Sequence, residues 1–252
     1  MTKILKRTLI IATIAAAALL LASGGYYLKF KHEISSFTPI ETGKIDVADA
    51  TKPAPNIYAI KDDFANMFII QDGAHYIVID CAINPTTVAA QMKKLNIAPD
   101  AVDAVFLTHT HADHVGALPL FNKARLYISK PEEQMINGQQ HVFLWFNNTI
   151  PRADYTLLDD RQTIHIGNLK IEGILIPGHT TGQMAWLIND KYLFTGDILS
   201  LKTGKIAPIP ALFDKSPAQA AQTRDLIRHI PTAEHIFTAH WGHTADYKTA
   251  IK

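Results

Sequence analysis

Four side chains able to ligate a metal fall within six residues, His109-Thr110-His111-Ala112-Asp113-His114. No other stretch limits the fold of this chain as tightly. The apolar run over residues 104–107 leads directly into it and reads as a strand. The cluster therefore lies just past a strand end, where a loop can aim several side chains at one point. Residues two apart on an extended segment point the same way, so His109 and His111 can share one ion. Asp113 and His114 then turn toward a second. Imidazole with carboxylate suits zinc, iron or manganese, and zinc favours about four ligands.

Three later places supply what the cluster lacks. Pro177-Gly178-His179-Thr180 follows a strand pattern ending at Ile176, Thr195-Gly196-Asp197 follows one over 192–194, and Thr238-Ala239-His240 follows one over 235–237. Each ends in a ligand-type residue just beyond a strand, where sites collect in layered α/β folds. A lone His or Asp in a loop is ordinary. Three of them, in order, beside a four-ligand cluster form a set.

That set resembles the metallo-β-lactamase superfamily. The residues from Thr108 to His114 are similar to its His-x-His-x-Asp-His signature, and His179, Asp197 and His240 fall where its later ligands occur. The resemblance covers roughly residues 56–243. It implies an α/β fold, a four-layer αββα sandwich with the site at one edge between the sheets. It implies that His109, His111 and His179 hold a first metal, that Asp113, His114 and His240 hold a second, and that Asp197 bridges both. Asp80, at the end of its own strand, resembles a family aspartate that supports the site from behind. Asp197 stands where the best-known β-lactamases often carry Cys, so the site looks more like the glyoxalase II and lactonase branches. His111 stands where the diiron flavoprotein branch has Glu, which argues against that redox role. Ala239 replaces the usual Gly before the last histidine, and His243 is the alternative ligand there.

The function expected from this set is hydrolysis with two zinc ions per chain, iron or manganese being possible. Two ions about 3.5–4 Å apart can share a hydroxide whose formation at neutral pH they promote. Asp197 and Asp113 are then the carboxylates closest to the chemistry. An ester, thioester, lactone or β-lactam of a small molecule fits. A mononuclear iron persulfide dioxygenase on the same fold and a metal-binding protein without activity are the alternatives. With 24 Lys and Arg against 23 Asp and Glu, the chain is nearly neutral and shows no basic stripe, so a nucleic-acid partner is not expected. The single Cys81 permits no internal disulfide and reads as a small buried residue.

The remaining organisation follows from hydropathy and punctuation. Lys3, Lys6 and Arg7 precede an uncharged run of about 21 residues from Thr8 to Leu28, roughly 31 Å as a helix and enough to span a bilayer core. Residues 1–31 are thus expected to be a membrane anchor or a signal peptide, with the catalytic domain outside the cytoplasm. Residues 32–55, punctuated by Pro39, Gly43, Pro53 and Pro55, read as a linker, and 56–252 as the hydrolase domain. Hairpins are expected around Asp72-Gly73 and Asn189-Asp190, further strands over 126–129, 163–166 and 169–175, and helices over 85–95 and 217–229. Two apolar runs, Val142-Phe143-Leu144-Trp145-Phe146 and the segment with Pro208, Pro210, Leu212 and Phe213, are candidates to wall a substrate cleft.

Overall fold

The computed structural model describes residues 23–47, 55–141 and 147–252. The chain divides into two units, Met1–Phe37 and Thr38–Lys252. In the first, helix α1 covers residues 23–34. Ser36 closes its end by donating from Oγ to the Glu33 carbonyl at 2.7 Å. Tyr26, Tyr27 and Leu28 are exposed on it. Most of the uncharged run, and with it most of the expected anchor, lies outside the described residues. Among the described residues no helix is long and apolar enough to cross a membrane.

The second unit is built on two mixed sheets. Seven strands lie in the order β1 (Gly43–Ile45), β2 (Asn56–Asp62), β3 (Ala65–Asp72), β4 (His75–Ile79), β5 (Ala104–Phe106), β6 (Arg125–Ser129) and β7 (Tyr155–Leu158). The other sheet has six strands, β8 (Thr163–Ile166), β9 (Leu169–Leu175), β10 (Met184–Ile188), β11 (Tyr192–Phe194), β14 (His235–Phe237) and β15 (His243–Thr244). A small ribbon pairs β12 (Ser200–Lys202) with β13 (Lys205–Ala207). Among the described residues five α-helices accompany the sheets: α2 (Pro85–Lys94), α3 (Ala112–Val115), α4 (Glu133–Ile136), α5 (Pro217–Ile227) and α6 (Tyr247–Ala250).

The layering follows from the period of two along each strand. On β3, Phe68 and Ile70 enter a core shared by both sheets, while Met67 and Ile69 join a second core with Val88 and Met92 of α2. On β10, Met184, Trp186 and Ile188 enter the shared core, while Ala185 and Leu187 join a third core with Ala220 and Ile227 of α5. Helices thus cover the outer face of each sheet, and the sandwich is αββα.

Strand β1 corrects the reading of 32–55 as a linker. Gly43, Lys44 and Ile45 pair with Ala59, Tyr58 and Ile57, and Ile45 and Val47 are buried. Three residues are too few for alternation to stand out against the neighbouring prolines. The two expected hairpins form, with Gly73, Asn189 and Asp190 all at positive φ, as tight turns between twisted strands require.

Trp186 is fully buried at the centre of the shared core, its ring edge-on to Phe106 at 5.0 Å. Its Nε1 has no hydrogen-bond partner among the described residues. Trp186→Ala should therefore cost about 3–5 kcal/mol by cavity formation. Trp186→Phe forfeits volume but no hydrogen bond and should cost clearly less. Denaturant midpoints of the two variants check this; equal losses would contradict it.

Candidate metal centre

The ligand-type residues gather where strands of both sheets end. β5 delivers Thr108 to His111, α3 carries Asp113 and His114, and β9, β11 and β14 lead to His179, Asp197 and His240. They form two groups. His109, His111 and His179 converge in one, with His179 Nε2 3.2 Å from His109 Nε2 and 3.0 Å from His111 Nδ1. Asp113, His114, Asp197 and His240 form the other. There His240 Nε2 lies 3.1 Å from Asp197 Oδ2 and 3.3 Å from Asp113 Oδ2, and His114 Nε2 lies 3.4 Å from Asp197 Oδ1. Asp197 Oδ2 is also 3.6 Å from His179 Nε2, so one carboxylate reaches both groups.

Two kinds of support hold these side chains. The first is Asp80, buried at the end of β4 in the left-handed region with φ 57°. Its Oδ1 accepts from the Thr108 amide at 2.7 Å, and its Oδ2 from Thr108 Oγ1 at 2.8 Å and from His114 Nδ1 at 2.9 Å. Thr108 Oγ1 in turn lies 3.0 Å from His109 Nδ1. One carboxylate therefore steadies a histidine of each group. The chain around it also grips α3, since the Cys81 amide donates to the His114 carbonyl at 2.7 Å. The second support is Glu132, which sequence reasoning missed. Its carboxylate accepts from Thr110 N and Oγ1 at 2.8 and 2.7 Å, from Thr180 Oγ1 at 2.6 Å and from Gly182 N at 3.2 Å. It ties the loop carrying His109 and His111 to the loop following His179. Gly182 must be glycine for this approach, because a Cβ there would lie 2.0 Å from the Glu132 amide nitrogen.

The electrostatics of the two groups differ. Burial drives His109, His111 and His179 down, His179 to about 3 with help from His111. These are neutral imidazoles presenting lone pairs. Burial also opposes charge on His114 and His240, but the carboxylates around them outweigh it. Asp197 and Asp80 hold His114 well up, and Asp197 and Asp113 hold His240 at about 10. Asp113 and Asp197 stay low despite burial because His114 and His240 face them. Buried atoms left over point the same way: His114 Nε2 and Asp197 Oδ1 have no well-aligned hydrogen bond. Converging imidazole nitrogens and orphaned carboxylate oxygen are what divalent cations satisfy, and histidine with aspartate suits zinc.

His243 joins neither group; it lies on β15 with its ring stacked on Phe237 at 5.4 Å. Cys81 is buried, and burial and Asp80 push its thiol up, so it is inert. The run from Val142 to Phe146 lies outside the described residues. In the other apolar run, Pro210, Leu212 and Phe213 are half-buried and Pro208 is exposed. Phe64, also unforeseen, offers its carbonyl to His240 Nδ1 at 2.8 Å.

Comparison with known proteins gives the family. Residues 60–240, well over half of the chain, match the family model of the metallo-beta-lactamase superfamily. The chain belongs to that superfamily. A hydroxyacylglutathione hydrolase of Serratia proteamaculans is 29% identical over 188 residues, 73% of this chain and 64% of that protein. A probable polyketide biosynthesis zinc-dependent hydrolase of Bacillus subtilis is 33% identical over 135 residues, 52% of this chain and 53% of that protein. The chain thus spans less than two thirds of the length of either relative. Among solved structures, the subclass B3 metallo-beta-lactamase BJP-1 of Bradyrhizobium japonicum has the same fold, with a TM-score of 0.62 at 16% identity over 81% of this chain and 79% of that one. In this superfamily member the expected ligand residues come together, and Asp80 supports them from behind.

Asp80→Ala removes the acceptor for Thr108 and His114 at once. Metal affinity should fall about 10–100-fold, and stability by about 1–3 kcal/mol as buried donors lose their partner. Metal titration and thermal melts read the two effects. Undiminished affinity would show that Asp80 is dispensable to the site.

Proposed function

We propose that this chain is a metal-dependent hydrolase with two ions, zinc in the first instance, that cleaves an acyl bond of a small molecule: an ester, thioester, lactone or β-lactam. The hydroxyacylglutathione hydrolases among its relatives make hydroxyacylglutathione the first substrate to try. His109, His111 and His179 would hold one ion, and Asp113, His114 and His240 the other, with Asp197 shared. The observation that carries the reading is the reach of Asp197, 3.1 Å from His240, 3.4 Å from His114 and 3.6 Å from His179.

Bound ions supply Lewis acidity and lower the pKa of water to about 7, so the reaction needs no serine or cysteine nucleophile. The chain's own residues supply position. Asp80 and Glu132 fix the ligand loops. Asp197, buried between the groups, would offset the repulsion between two cations held there. Asp113, with a quarter of its side chain open, would orient the attacking water. Asp197→Asn keeps the volume and removes the charge. It should lower kcat by at least about 10²–10³, or roughly 2.7–4 kcal/mol, and weaken the second ion most. The measurements are metal content and kcat/KM on the best substrate of an acyl panel. Activity within about threefold of wild type, with both metals retained, would remove Asp197 from the bridge. One iron per chain without hydrolysis would favour the dioxygenase reading instead.

For location, we propose attachment to the membrane through the run from Thr8 to Leu28, or export with cleavage of that run. The support is its length and basic flanks, together with Tyr26, Tyr27 and Leu28 exposed beside Lys29 and Lys31, a pattern suited to a membrane interface. Fractionation of the tagged full chain should place it in the envelope. A product found entirely in the cytosol would refute this.

A further inference from the structure

Three of the buried histidines have the ring nitrogen that faces away from the centre engaged. His109 Nδ1 meets Thr108 Oγ1 at 3.0 Å, His114 Nδ1 meets Asp80 Oδ2 at 2.9 Å, and His240 Nδ1 meets the Phe64 carbonyl at 2.8 Å. His179 differs. Its Nε2 faces the centre, but its Nδ1 is buried without a hydrogen-bond partner among the described residues. A neutral imidazole carries one proton. For Nε2 to present a lone pair, that proton must sit on Nδ1, where a buried N–H without an acceptor costs about 1–3 kcal/mol.

An acceptor stands opposite. Asp214 Oδ1 lies 4.0 Å from His179 Nδ1 and is itself buried with no hydrogen bond among the described residues. Two orphaned atoms of complementary type therefore face each other. The gap is about an ångström longer than a hydrogen bond, within reach of a small side-chain rotation. The other carboxylate oxygen is held by Arg224 Nη1 at 3.3 Å, and the same nitrogen donates to the Ile198 carbonyl at 2.9 Å. The backbone keeps the pair in register. The Lys215 amide donates to the His179 carbonyl at 3.2 Å, and the Ser216 amide to the Gly178 carbonyl at 2.8 Å. Gly178, with φ 141°, packs so closely on α5 that a Cβ would lie 2.4 Å from Ala220 Cα.

We propose that Asp214 is a positioning residue for the first ligand group. Its Oδ1 accepts a hydrogen bond from the Nδ1–H of His179, fixing tautomer and ring orientation so that Nε2 faces the centre, and Arg224 holds the carboxylate in place. The inference rests on the metal-centre reading above. It assigns a role to a residue 17 positions beyond Asp197 that belongs to neither ligand group.

The test uses zinc and the full chain. A competing chelator reads the two zinc affinities, with His109→Ala and His240→Ala identifying which belongs to which group. Long-range proton–nitrogen NMR reads the His179 ring, assigned by loss of its signals in His179→Gln. In the zinc-loaded wild type, His179 should show a proton on Nδ1 in slow exchange. Asp214→Leu alone strands Arg224 in a buried site, so the paired change Asp214→Leu with Arg224→Met is the informative variant. It should bind the first zinc about 10–100-fold more weakly, lose the slow Nδ1 proton, and leave the second affinity near wild type. Asp214→Asn still offers an oxygen and should restore the first affinity to within about threefold. Wild-type first-site affinity in the double variant, or an unchanged Nδ1 proton, overturns the role of Asp214 and leaves the metal centre standing. So does an Asn variant no better than the double one. A wild type that takes up no zinc overturns both readings.

Discussion

The site depends first on one buried carboxylate. Asp80 accepts three hydrogen bonds, two from Thr108 and one from His114. Through Thr108 Oγ1 it also reaches His109. Those contacts cross from the end of β4 to the end of β5 and the start of α3, so neighbouring parallel strands and the ligand loop are fixed by the same group. The left-handed backbone at Asp80 is the strain that aims the side chain; aspartate tolerates this conformation better than most residues do. If the carboxylate were displaced, His109 and His114 would move independently, and the two ligand groups would lose their common reference.

Sheet architecture supplies the rest of the geometry. A strand sends alternate side chains to opposite faces, so strands buried on both faces divide their residues between the shared core and an outer one. Nothing on such a strand is left for ligation. The donors can only come from the residues just past the last paired position, and they do: His109 after Phe106, His179 after Leu175, Asp197 after Phe194, His240 after Phe237. The register that packs Trp186 against Phe106 is therefore also the register that brings the ends of β5 and β10 together, where the Met184 amide donates to the Thr108 carbonyl at 2.8 Å. A slip of one residue would exchange core and surface faces and would scatter the ligands as well.

What could be read from the chain alone was what is encoded locally. The cluster from His109 to His114 needs no distant partner to be noticed, and the turns at Asp72-Gly73 and Asn189-Asp190 carry their own backbone preference. His179, Asp197 and His240 were legible because each follows a recognisable apolar strand. The supports were not. Glu132 bonds residues 22 and 48 positions away, and nothing in Ser129-Lys130-Pro131-Glu132 marks it as buried. Asp214 lies between the strand pattern over 192–194 and the helix that holds Arg224, neither residue belongs to a motif, and their meaning depends on His179. Strands β1, β7, β12 and β13 each carry a polar residue, Lys44, Thr156, Lys202 or Lys205, within three or four positions, unlike the continuous apolar runs of β5 and β11; tertiary pairing, not local preference, makes them strands.

The charge distribution around the centre also limits what the region can be. Asp80, Glu132, Asp197 and Asp214 are all buried, and Asp113 stands partly open beside them. A buried ionised carboxylate is costly unless donors or cations surround it. Asp214 faces Arg224, Glu132 is met by four neutral donors, and Asp80 by Thr108 and one imidazole. Asp113 and Asp197 have only His114, His179 and His240 close to their oxygens among the described residues. Protonated imidazoles can balance them, but an imidazole that is protonated on both nitrogens has no lone pair to give. Balancing the two carboxylates with metal ions instead frees His114 and His240 to act as neutral donors, which is the same state in which burial already holds His109, His111 and His179. The five histidines and two aspartates thus become mutually compatible when cations, rather than protons, carry the positive charge.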